Sequence, residues 1–306
     1  MKRIQELAKQ MRRRPLALME SAWQELRSAA LREALGQASG DPDLTLRKAQ
    51  AEEGGQLTGG VLVVPVSGII MQHESCWSEW GYATSTEGLV CTVREAMNNS
   101  AVSAVVLSVE SPGGFVYGVA EATAALRALR DMKPLIAVAN AYAASAAYWL
   151  VSAASEIVVT PSGEVGSIGV FCVHEDWSKA YEMVGITPTL VKAGKYKAEF
   201  SYLEPLSDEA RQELQREVDE TYAQFIADVA KGRGVAPSVV RGGFGEGRMV
   251  SAKAAVDQGM ADRVATLDDV LQKLVGRGAR RGARASDEGQ GDRERRERQL
   301  RLATRA

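Results

Sequence analysis

Between residues 60 and 194, short apolar runs rich in β-branched residues alternate with stretches of helical spacing. The runs GVLVVPVSG (60–68), AVSAVVLSVE (101–110), KPLIAVAN (133–140), EIVVT (156–160), GSIGVFCV (166–173) and TPTLVKAG (187–194) predict strands, and the spacing predicts helices over 86–98, 115–131, 145–154 and 175–184. Strands that are apolar almost throughout are covered on both faces. The expected fold class is therefore α/β, with a largely parallel sheet flanked by helices.

On either side of this block the pattern changes. Residues 1–37 place Leu7, Met11, Leu16, Leu18, Trp23, Leu26, Leu31 and Leu35 at helical spacing between basic residues, which predicts N-terminal amphipathic helices. Residues 38–59 are polar and glycine-rich and read as a linker. After residue 205, LSDEARQELQREVDETYAQFIADVAKGRG opens with Ser207 as a cap and an acidic first turn and stops at Gly232, the signature of a long amphipathic helix. GRMVSAKAAVDQGMADRVATLDDVLQKL then closes the domain near residue 275. Residues 276–306 hold ten arginines and too little apolar content for a core, so this tail is expected to be disordered.

Charge excludes some function classes. With 37 basic and 39 acidic residues the net charge is −2, which gives the whole chain no electrostatic preference for nucleic acid or anionic membrane; only the arginine-rich tail leaves nucleic-acid contact open. Cys76, Cys91 and Cys172 are odd in number and unpaired in spacing, against a disulfide framework or a cysteine-rich zinc site and in favour of a reducing, cytoplasmic setting. The basic N-terminus is followed by no apolar signal-peptide core, and no apolar run reaches about 18 residues, so no membrane span is expected. Nothing in the pattern calls for a cofactor or a metal.

Three stretches at strand-to-helix junctions could carry chemistry, because ligand sites in open α/β sheets collect at the carboxyl ends of strands. ESPGGFVYG (110–118) could bring backbone N–H groups close to a ligand, although taken alone it is more readily explained as a plain tight turn. NAYAASAAYWL (140–150) sets Ser145 where a helix should begin, as a nucleophile or as a packing or capping serine. VKAGKYKAEFSYLEPLS (191–207) carries Lys192, Lys195 and Lys197, either solvated surface charges or, if burial keeps one neutral, a general base. Serine, lysine and paired amides together make up a known variant of the serine-hydrolase constellation.

SPGG, AASAAYWLVSAA, VGSIGV, GKYK and GRMVSAKAAVDQGMADRV, in this order and spacing, resemble the signal peptide peptidase A family of serine peptidases, above all its tailed-phage head-maturation branch. The resemblance covers residues 60–275. It implies a ClpP/crotonase-like fold of repeated ββα units wound as a spiral, with Ser145 as nucleophile and Lys197, 52 residues later, as general base. It further implies an oxyanion hole from the amides of Gly114 and Ala146, and Ser167 orienting the lysine amine. A ring-shaped homo-oligomer is implied, in some members with serine and lysine from adjacent subunits, and the implied substrates are scaffold or portal proteins. Ala146 and Ala147 depart from the glycines that cellular members often carry there. Lys195 and Lys197 are two apart and could point the same way along an extended segment, so the lysine assignment rests on the motif.

Other readings stay open on the residues alone. His174, followed by Glu175 and Asp176, lies 29 residues after Ser145 and could serve a ClpP-type Ser-His site, whereas His73 in MQHESCWSEW reads as surface. A crotonase-like acyl-CoA enzyme would share the fold but leave Ser145 and the lysine surplus. A capsid-assembly or scaffolding protein without enzymatic activity would use the long helices and the tail.

Overall fold

The computed structural model describes residues 14–34, 55–75, 78 and 83–276. The expected helices before residue 14, the linker over 38–54 and the arginine-rich tail from 277 lie outside the described residues. In chain order the elements are β1 (Leu16–Leu18), α1 (Glu20–Ala34), β2 (Gln56–Thr58), β3 (Val61–Met71), β4 (Ala83–Ser85), α2 (Thr86–Asn98), β5 (Ala104–Phe115), α3 (Val119–Met132) and β6 (Leu135–Ala144). They continue with α4 (Ala146–Val151), β7 (Glu156–Val159), β8 (Glu164–Gly166), α5 (Ser178–Met183), α6 (Asp208–Arg233), α7 (Pro237–Gly243), β9 (Met249–Ser251), α8 (Ala252–Asp257) and β10 (Arg263–Val264). A further helix begins at residue 267.

The expected α/β architecture is what forms. Strands β10, β7, β6, β5 and β3 are parallel neighbours, and β2 closes one edge antiparallel to β3. The apolar runs are explained by two-sided burial. Val105, Leu107 and Val109 face a core shared with α2, α3, α4 and α6, while Val106, Ile136, Val138 and Val158 face a second core closed by Val270. At roughly 1.5–3 kcal/mol for each fully buried aliphatic side chain, this alternation is the main force holding the strands in register.

At their carboxyl ends the central strands bend away from the flat sheet. The pairing of β3 with β5 jumps from Ser67↔Glu110 to Ile69↔Gly113, one extra residue on β5. The pairing of β5 with β6 jumps from Val109↔Ala139 to Ser111↔Ala143, two extra residues on β6. Such bulges kink a strand and turn its remaining residues in a new direction. Buried Ser111 pins this one, its Oγ donating to the Gly68 carbonyl at 2.6 Å and accepting from the Gly113 amide at 3.2 Å. Beyond the bulges β6 leaves β7 and pairs with β8, and β5 gains β1 as an antiparallel partner. A third, small core of Leu16, Leu18, Trp23, Leu26, Ile69, Met71, Ala83 and Phe115 fills the bend.

Five local expectations are corrected. Leu16–Leu18 is a strand, not helix, because its backbone bonds are taken by β5 and by Phe171. Pro112–Gly113–Gly114 continues β5 rather than forming a turn. Of the run 166–173 only Gly166 lies in a strand, since Gly166 and Ser167 both adopt positive φ and break the ladder. The run 187–194 forms no strand and lies exposed, with Val191 91% accessible. The long helix runs one residue beyond the expected stop at Gly232 and ends on left-handed Gly234; a Cβ on Gly232 would meet the Ser152 carbonyl oxygen at 2.0 Å.

Candidate active site

Ser145 stands between β6 and α4 with φ 56° and ψ −119°. Positive φ in a residue with a Cβ costs about 1–3 kcal/mol and persists only where the surroundings enforce it. The enforcing contacts are its amide donating to the Gly166 carbonyl at 2.7 Å and its carbonyl accepting from the Trp149 amide at 2.9 Å. Every residue from Ala143 to Ala154 is buried. From outside, α6 clamps α4: the Trp149 ring stacks on Phe225 at 4.6 Å, and its Nε1 donates to Asp228, which also pairs with Arg127 at 2.7 Å. The Tyr148 hydroxyl donates to the Met260 carbonyl at 2.9 Å, and burial raises its pKa far above the ordinary tyrosine value. Ser145 Oγ lies 3.4 Å from the Gly169 carbonyl oxygen, a long contact that holds the hydroxyl weakly.

The glycine pair runs beside this serine for a steric reason. A Cβ on Gly113, whose φ is +92°, would lie 2.2 Å from the Ala17 oxygen and 3.0 Å from both the Ala144 oxygen and the Ala146 nitrogen. A Cβ on Gly114 would lie 2.0 Å from the Ile70 oxygen. Only glycines let β1, β3 and the serine turn approach β5 this closely. The structure thus brings Ser145, Ala146 and the Gly113–Gly114 segment together, all buried. The amide of Ala146 is the first of α4 and has no acceptor within the helix. Ser167, half-buried with φ 52°, adjoins Gly166, and its own amide donates to the Arg248 carbonyl at 2.9 Å.

The lysines are not brought to the serine. Lys197 is exposed, its amide donating to the Gly194 carbonyl at 3.3 Å, and within one chain no hydrogen bond joins it to Ser145 among the described residues. Lys195 is committed elsewhere: its ammonium donates to Glu209 at 2.8 Å and to the Tyr196 hydroxyl at 2.7 Å, which raises its pKa above the ordinary lysine value. The two lysines thus differ in their partners, Lys195 being ion-paired with Glu209 on the surface. In the same stretch of chain as Lys197, Met183 (85% accessible), Val184, Ile186, Leu190, Val191, Tyr196 and Tyr202 are all exposed.

His174 is no more connected to the serine. Its Nε2 lies 3.1 Å from the Ser201 carbonyl oxygen, and no hydrogen bond links it to Ser145 among the described residues. His73 pairs on the surface with Glu87 at 3.0 Å, in keeping with its reading as a surface residue. Among the described residues no cluster of histidine, cysteine, aspartate and glutamate could hold a metal ion, and no helix is long and apolar enough to cross a membrane.

Sequence reasoning chose Gly114 and passed over Gly113, which borders both Ala144 and Ala146. It also passed over Ser111, and over β1, whose signal was the short alternation Leu-Ala-Leu behind Pro15.

The model of peptidase family S49 matches residues 127–277. The chain is 31% identical over 216 residues to the capsid assembly protease C of Escherichia phage lambda, covering 71% of this chain and 49% of that one. It is 29% identical over 220 residues to a head-tail preconnector protein of Enterobacteria phage P21, covering 72% and 44%. The chain thus spans about half the length of these curated relatives. Among solved structures, a ClpP1 variant from Listeria monocytogenes is 15% identical with a TM-score of 0.41, covering 68% of this chain and 92% of that one.

Proposed function

We propose that the chain is a serine endopeptidase in which Ser145 Oγ attacks the scissile carbonyl, a reading supported by the match of residues 127–277 to the peptidase family S49 model. The observation that carries this reading is Ser145 itself: fully buried, held at positive φ on a strand-to-helix turn, beside a glycine pair that a side chain would clash out of place. A packing serine has no need of that strain, whereas a nucleophile that must meet a carbonyl at a fixed angle does.

In the first half-reaction the Oγ–H proton passes to the neutral amine of Lys197 as Oγ bonds to the carbonyl carbon. The amides of Gly114 and Ala146 donate to the oxyanion, a contribution typically of about 3–4 kcal/mol for one such donor. Collapse expels the amine, which takes the proton back from the Lys197 ammonium and leaves an acyl ester on Ser145. Water then attacks the ester, its proton following the same path, and the acid departs with Ser145 restored. Ser167 orients the lysine amine.

Lys197 reaches Ser145 from a neighbouring subunit of a homo-oligomeric ring. Its exposure within one chain supports this, and so do the exposed apolar side chains near it in sequence, which water disfavours and assembly would cover. Covering it would also supply the dry surroundings in which a lysine is neutral. By likeness to the capsid assembly protease C, the substrates are phage scaffold or portal proteins.

Incubating wild-type and Ser145→Ala protein with such substrates, followed by mass spectrometry of the products, tests the reading. Defined cleavage sites should appear with wild type only; processing by Ser145→Ala at the wild-type rate would end the proposal.

A further inference from the structure

Strand β1 lies across the Ser145 turn and its glycine pair. On one side it pairs antiparallel with the end of β5, in the register Leu16↔Phe115, Ala17↔Gly114, Leu18↔Gly113. On the other, Leu16 exchanges both backbone hydrogen bonds with Phe171, at 2.9 and 3.0 Å. Phe171 comes two residues after Gly169, whose carbonyl oxygen is the contact of Ser145 Oγ. A three-residue segment is thus hydrogen-bonded on both edges between the glycine pair and the chain that lies against the nucleophile.

Its register matters chemically. Because the polar groups of Leu16 point at Phe171, the alternation of an extended strand turns those of Ala17 towards Gly114. The Met19 amide, two residues on, donates to the Pro112 carbonyl at 2.9 Å and confirms the phase. The Ala17 carbonyl is therefore aimed at the Gly114 amide, and the point 2.2 Å from its oxygen where a Gly113 Cβ would sit is 3.0 Å from the Ala146 nitrogen. The Gly114 amide thus faces that oxygen, and the Ala146 nitrogen lies close to the same point. The side chains divide in the same way. Leu16 and Leu18 enter the small core with Ile69, Met71 and Phe115, whereas Ala17 points into the main core, where it is wholly buried. Past Met19 a cavity of about 370 Å³, bordered by Pro112, Tyr142 and Glu164, prolongs the groove.

We propose that β1 occupies the peptide groove of this site as a tethered ligand, so that the groove takes an extended peptide of the pattern large apolar, small, large apolar, with the carbonyl of the small residue at the Gly114 amide. The inference rests on the catalytic reading of Ser145 for its meaning, but its geometry stands on β1 alone. Alanine is selected at the centre because the main core leaves no room for more. Leucine is selected on either side because Ile69, Met71 and Phe115 form an apolar wall. A protein substrate must displace β1 by taking over its hydrogen bonds.

The test uses the full chain carrying Ser145→Ala, which cannot turn peptide over, with and without Ala17→Pro, which removes the amide that β1 donates to Gly114. A fluorescent peptide of residues 12–21 is titrated by anisotropy, alongside the same peptide with its central alanine replaced by arginine. A tethered ligand lowers apparent affinity by the fraction of chains it leaves open, so Ala17→Pro should tighten binding of the first peptide by at least about tenfold, and the arginine peptide should bind at least about tenfold more weakly. Equal affinity with and without Ala17→Pro, or no discrimination between the peptides, would overturn the proposal. If circular dichroism shows that Ala17→Pro does not fold, hydrogen exchange on the Ser145→Ala chain replaces it: saturating peptide must speed exchange at the Ala17 and Met19 amides, and unchanged protection would overturn the proposal. The same peptide offered to chains with Ser145 intact reads the catalytic claim separately. Binding without scission upholds the groove and defeats the peptidase.

Discussion

From Ala143 to Ala154 no residue is more than 3% accessible, whereas the stretch from Met183 to Tyr202 exposes Val191 to 91% and Met183 to 85%. The first region carries Ser145, the second Lys197. The serine side is finished within one chain: β6 enters, α4 leaves, and α6 clamps the helix through Trp149, Phe225 and Asp228. The lysine side exposes several large apolar side chains to water, a common mark of a surface that another protein covers. On the proposed reading, folding positions the nucleophile and assembly delivers the base.

The difference can be broken first from the serine side. Trp149→Ala removes a ring that is 1% accessible and stacked on Phe225, and should cost about 3–5 kcal/mol in denaturant unfolding. A loss below about 1 kcal/mol would mean that α6 does not clamp α4. On the lysine side, Val191→Asp should leave unfolding within about 0.5 kcal/mol of wild type, as surface changes do. It should also shift the oligomer towards smaller species in sedimentation and reduce cleavage by about tenfold or more. Unchanged sedimentation would show that the patch is not an assembly surface.

How far the sequence foretold these two regions depends on how local the physics was. Helix α2 was legible because a 3.6-residue period coincides with a cap, Ser85 Oγ accepting from the Gly88 amide at 3.1 Å. Ser145 was legible as a strand-to-helix junction, although its positive φ was not, because that depends on Gly166, which arrives from another strand. The Pro-Gly-Gly turn failed because β1 and β3 supply pairing partners that override turn propensity. Strand β1 failed because three residues within a leucine-spaced basic segment carry no period of their own. TPTLVKAG has strand composition without a sheet edge to join, and its apolar positions read as surface only once the fold is seen.

Two smaller effects sharpen the picture. Lys195→Ala should change cleavage by no more than about twofold, since exposed ion pairs contribute little and Lys195 is bonded to Glu209 rather than to the site. A loss matching that of Lys197→Ala would exchange their roles. The smallest effect is acid stability near the far end of α6. Asp262 is partly buried, which would raise its pKa, but hydrogen bonds from Arg233 at 2.8 Å and from the Ile157 amide at 2.7 Å outweigh burial and lower it. A carboxylate with a lowered folded pKa contributes stability that is present above its unfolded value of about 3.9 and is lost as pH falls through the folded one. Asp262→Asn should therefore flatten the acid limb of the stability curve below about pH 4, and an unchanged limb would remove the assignment.

The division of the site between folding and assembly is tested most directly by mixing two inactive proteins, Ser145→Ala and Lys197→Ala, with mixed assemblies verified by native mass spectrometry. If the serine of one subunit meets the lysine of its neighbour, cleavage returns on mixing and falls away when either protein is in large excess. Mixed assemblies that stay inactive at every ratio would contradict the account.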